Sequence, residues 1–118
     1  MLSNPTNRNA APVRQRGLWA RLLTDILHLS GTDAEFLHHA ERPWSSATFS
    51  GSRHTIVLAF RGAEAVRQGE VFANSLPDHE FSIPGHLVAD AAVVSVMHET
   101  VPVPHMTVET QMLLLEDV

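Results

Sequence analysis

The feature that most constrains this chain lies near its C-terminus, where two runs, His86 to His98 and His105 to Leu115, carry the two-residue period of β-strands. They are joined by Glu99-Thr100-Val101-Pro102-Val103-Pro104, a connection stiffened by two prolines. This pattern predicts a long antiparallel hairpin. If His98 pairs with His105, its side chains sort into two sets. One face takes Leu87, Ala89, Ala91, Val93, Ser95 and Met97 with Met106, Val108, Thr110, Met112 and Leu114. Small residues oppose larger ones there, which suits a helix lying across them. The second face takes Val88, Asp90, Ala92, Val94, Val96 and His98 with His105, Thr107, Glu109, Gln111, Leu113 and Leu115. A one-layer sheet reads apolar inside and polar outside, and this second face is too apolar for that. Its expected cover is either an N-terminal helix or the same face of another subunit, and a homodimer through it is the expected partnership.

Upstream, Leu18, Trp19, Leu22, Leu23, Ile26 and Leu29 recur every three or four residues. That spacing predicts a helix from Arg14 to Ser30 with one broad apolar stripe and Gly31 as its C-cap. Thr32 and Glu35 form a T-x-x-E pattern that predicts a second short helix to about Ala40, stopped by Pro43. Trp44 to Arg61 reads as a hairpin centred on Gly51-Ser52, with Phe49 facing His54 and Ala47 facing Ile56. From about Gly62 to Ser75, Val66, Gly69, Ala73 and Leu76 share one stripe of a helix, with Ala65 and Phe72 beside it and Glu64, Arg67, Gln68 and Glu70 outside. Phe81 and Ile83 precede the Pro84-Gly85 turn as a short extra strand. The expected fold is therefore α+β: N-terminal helices followed by a ββαββ(β) antiparallel sheet packed on a helix. Residues 1–13 read as a disordered arm and residues 14–118 as one domain.

Charge narrows the function classes. Lysine is absent, and Arg8, Arg14, Arg16 and Arg21 all precede the first acid, Asp25. From Leu22 onward four arginines face thirteen acids, a formal charge of −9. Such a body repels nucleic acid. No apolar run approaches the roughly 20 residues needed to span a bilayer, and the absence of cysteine rules out disulfides and thiolate metal sites. A cytoplasmic location is expected, with neither nucleic acid nor a membrane span. Eight histidines would carry the formal charge from −5 to +3 on full protonation, so stability or assembly is expected to change between about pH 5 and 7.

None of the phosphate-loop, dinucleotide, zincin or hydrolase-elbow signatures occurs. The candidate ligand-binding residues are Asp90 and Glu109, carboxylates set among apolar neighbours, with His86 nearby on the same strand as Asp90 and Arg53-His54 at the expected tip of the first hairpin. His98 and His105 are a weak metal pair, expected as cross-strand neighbours needing a third ligand. His38-His39, adjacent on the expected short helix, point apart. Trp19 and Trp44 are expected to plug the core. No cofactor is expected. The reading is a self-associating, non-enzymatic module acting through protein contacts. The alternative is a small-ligand-binding protein or enzyme with a carboxylate and histidine site on the C-terminal hairpin.

Overall fold

The computed structural model describes residues 13–116, with side chains from Gly17 onward. Most of the expected arm falls outside these residues. The elements run α1 (Val13–Ser30), β1 (Ala34–Ser45), β2 (Ser50–Arg61), α2 (Ala63–Ser75), a 3-10 turn (Leu76–Asp78), β3 (His86–Glu99) and β4 (His105–Glu116). The four strands form one sheet in the order β1-β2-β4-β3, each neighbouring pair antiparallel. The class is α+β. Among the described residues no helix is long and apolar enough to cross a membrane.

Leu18, Leu22 and Ile26 come round to the same side of α1 every four residues and are buried. Gly31, at φ 91°, turns the chain out of the helix in the left-handed conformation that glycine takes at no steric cost. In α2 the buried residues are Ala65, Val66, Gly69 and Phe72. Both stripes join a single core with Ile56, Leu58 and Phe60 of β2 and Met106, Val108, Met112 and Leu114 of β4. The two helices therefore lie on the same face of the sheet. That removes one of the two expected covers for the other face.

Among the described residues only one helix precedes the sheet. The segment read as a second helix is most of β1, whose Ala34 to Ser45 pair along β2 from Phe60 to Ser50, with an irregularity at Leu37. Glu35, expected to close a capping box on Thr32, instead accepts a hydrogen bond from Arg61 Nε at 3.0 Å. Pro43 sits inside the strand because β1 is an edge, where the missing N–H is tolerated. The tight turn is also earlier than Gly51-Ser52. Ser46 N–H donates to the Phe49 carbonyl at 2.8 Å, and Ser46 Oγ accepts the Phe49 N–H at 3.0 Å. This serine-built turn sets a register in which Ile56 faces His39 and His54 faces Glu41.

The C-terminal hairpin forms; its pairing is as expected from Asp90 to Val93 and one residue out on either side. His98 pairs with Met106 and Glu99 with His105. Irregularities between Val88 and Asp90 and between Val93 and Ser95 each insert a residue into β3 and reverse its alternation. The helix-side row is Val88, Ala91, Val93, Val96 and His98, and the open row is Leu87, Asp90, Ala92, Ser95, Met97 and Glu99. The expected faces hold from Asp90 to Val93 and are exchanged on either side. Of the short strand before Pro84-Gly85, a single bridge remains, Ile83 to His86.

Candidate functional site

Two places carry chemistry. The first is the open face of the sheet. Following the register across the strands, one row reads Trp44, Gly51, Leu115 and Leu87, and the next Arg42, Arg53, Leu113 and Asp90. Below them come Ala40, Thr55, Gln111 and Ala92, and then His38, Val57, Glu109 and Ser95. Leu87 and Met97 on this face are 61% and 63% exposed. Trp44, expected in the core, is half-buried on this outer face.

The expected site residues scatter over this frame. Asp90 is exposed opposite Leu113, whereas Glu109 lies between Val57 and Ser95, so the two carboxylates do not share a site. Arg53 and His54, adjacent on β2, face opposite sides of the sheet. His86 borders a cleft of about 630 Å³ lined by Leu18 and Arg21 of α1, the Ile83–Gly85 turn and Glu116. His98 is on the helix side, whereas His105 is on the open face with Nδ1 3.9 Å from Glu99. The one-residue change of register therefore separates the expected metal pair across the sheet.

The second place is built around His54, which is fully buried on the helix side of β2. Its Nε2 lies 2.8 Å from Ser52 Oγ, and its Nδ1 lies 3.0 Å from Nε2 of His39 on β1. The two imidazole planes differ by only 13°. Trp19 of α1 stacks on His39, with ring centres 3.6 Å apart and planes 7° from parallel. Glu41, two residues along β1 from His39, sits directly opposite His54 in the register. One ligating atom from each of His39, Glu41 and His54 falls within 4.8 Å of the other two.

Electrostatics follow from this burial. Removal from water disfavours the imidazolium and pulls the His54 pKa down to about 4, with the nearby His39 and His86 acting in the same direction. His39 is also lowered, first by its own burial and then by His38. Both rings are neutral near pH 7. A helix over residues 32–40 conceals this cluster, because it leaves Glu41 beyond its end and off the face that carries His39. On a strand, residues two apart share a face. Comparison with protein-family models, curated proteins and solved structures finds no match for this chain.

Proposed function

We propose that this chain is a self-associating module that works through protein contacts rather than catalysis, with a second copy seated on the open face of its sheet. One observation carries the reading: both helices cover the same side of the sheet, while the other side holds exposed Leu87 and Met97 and half-buried Trp44, Val57 and Leu113. At roughly 4.8 Å between strands and 3.4 Å per residue, four strands of about eleven residues present on the order of 700 Å². That is close to the ~800 Å² each partner contributes to a standard stable interface. Polar residues among the apolar ones suit a surface that also meets water.

The charges favour a second copy over an unrelated partner. Arg42 and Arg53 lie on the β1–β2 side of the face, and Asp90 and Glu109 on the β3–β4 side. Two sheets stacked face to face by a two-fold axis must have that axis in the plane between them. An axis parallel to the strands, between β2 and β4, exchanges the two sides. It brings Arg42 and Arg53 of one copy over Asp90 and Leu113 of the other.

Sedimentation velocity on the full chain at micromolar concentration is expected to show a dimer. Asp90→Arg sets positive charges against each other and should weaken association by about tenfold, roughly 1.4 kcal/mol. Adding Arg42→Asp to the same chain should restore it. A wild-type monomer at these concentrations removes the proposal, and a dimer indifferent to both changes places the interface elsewhere.

A further inference from the structure

We infer that His39, Glu41 and His54 form a binding site for a divalent first-row transition metal at the junction of α1, β1 and β2. The donor set is two imidazoles and one carboxylate, which suits zinc or iron(II) and not the all-oxygen shells of calcium and magnesium. The positions fit as well as the types. Tetrahedral zinc holds nitrogens at roughly 2.0–2.1 Å, which places two ligand atoms about 3.3 Å apart. His39 Nε2 and His54 Nδ1 are 3.0 Å apart, so a slide of the half-buried His39 ring within its own plane by a few tenths of an ångström reaches that spacing. Glu41 brings the third ligand from the same face of the same strand as His39.

The surroundings of the two rings point the same way. A histidine that binds a metal through one nitrogen usually donates the other N–H to a fixed acceptor, which sets its tautomer. Ser52 Oγ stands 2.8 Å from His54 Nε2, and in the tautomer with its proton on Nε2 that N–H donates to Ser52 Oγ and the Nδ1 lone pair is free toward His39 and Glu41. Trp19 holds the plane of His39 by stacking on it. Three protein ligands leave a fourth position, and His39 and Glu41, both half-buried, provide the entry side.

The same contacts could be taken for a serine nucleophile activated by a histidine that a second histidine orients. Ser52, however, is only 7% exposed, so its hydroxyl is closed to a substrate.

The test uses the full chain without an affinity tag, stripped with chelator and dialysed. Zinc titrated calorimetrically should saturate at one ion per chain, and cobalt(II) should give the visible absorption of a low-symmetry four-coordinate site. His39→Ala should weaken zinc binding at least ~100-fold, and Glu41→Gln and Ser52→Ala each about tenfold or more. His39 and Glu41 lie on an edge strand, so their variants keep the test open even where a His54 variant fails to fold. His98→Ala should bind as the parent does. Absence of saturable uptake at micromolar chain, or equal affinity in the parent and His39→Ala, overturns the inference.

Discussion

Lowering the pH of the metal-free chain from 7 to 4 is expected to remove about 3 kcal/mol of folding stability through His54 alone. The folded-state pKa of about 4 lies below the ordinary value of 6.5, a gap of roughly 2.5 units at about 1.4 kcal/mol each. Because the folded value is the lower one, the unfolded chain takes up the proton first. Stability is therefore full above pH 6.5, falls as the pH drops toward 4, and levels off below that. Most of the loss comes before pH 4.5, above the range where ordinary carboxylates titrate. The titratable groups around His54 are His39 and Glu41 on β1 and His86 on β3. His39, itself lowered, adds to the loss. Burial is the largest influence on His54, and His39 and then His86 pull the same way. Against a typical stability of roughly 5–15 kcal/mol, a loss of this size is large. Urea unfolding at pH 7, 5.5 and 4.5 in the presence of chelator measures it. Following the His54 ring by NMR gives the same quantity without a variant, with a midpoint near 4 expected. A midpoint near 6.5 would mean that the ring is solvated and the cluster is not as described.

Counting eight histidines gives only a broad expectation of change between about pH 5 and 7, whereas the fold singles out His39 and His54 by their burial. The difference shows which kinds of information the sequence carries. Periodicity found α1, α2 and the faces of β4, because Leu18, Leu22 and Ile26, or Met106, Val108, Met112 and Leu114, repeat at the spacing of their element and all enter one core. It failed for β1, where Glu35, Phe36, Leu37, His38 and His39 carry little alternation and the T-x-x-E pattern suggests a helix. That strand exists because β2 offers it a ladder from Ser50 to Phe60, a long-range contact that local propensity does not encode. It failed also at Ala89 and Val94, since a single inserted residue in β3 changes nothing in composition but exchanges every side chain beyond it. The cluster at His54 was therefore half legible. His54 stood out in the sequence, but its partners His39 and Glu41 become neighbours only once β1 is a strand.

Gly51 separates the two accounts of the first hairpin most sharply, and Gly51→Ala is expected to cost about 3 kcal/mol, at the upper end for overpacking. On propensity alone the change should help, because glycine inside a strand is roughly 0.5–1 kcal/mol worse than alanine. The close approach of β4 reverses that sign. Gly51 pairs with Leu115, and its backbone is turned so that an added Cβ would lie 1.9 Å from the Leu114 carbonyl oxygen and 2.9 Å from Leu115 Cα. These are backbone atoms of a central strand, which cannot swing aside as a flexible side chain does. The methyl group must instead push β2 away from β4 next to Ser52 and His54, loosening the histidine cluster as well as the ladder. For a domain of this size 3 kcal/mol corresponds to a fall in Tm of roughly 10–15 °C. Thermal unfolding by circular dichroism at pH 7, compared with the parent chain, measures it. A variant as stable as the parent, or more so, would show that β2 and β4 are not as close at Gly51 as this register requires.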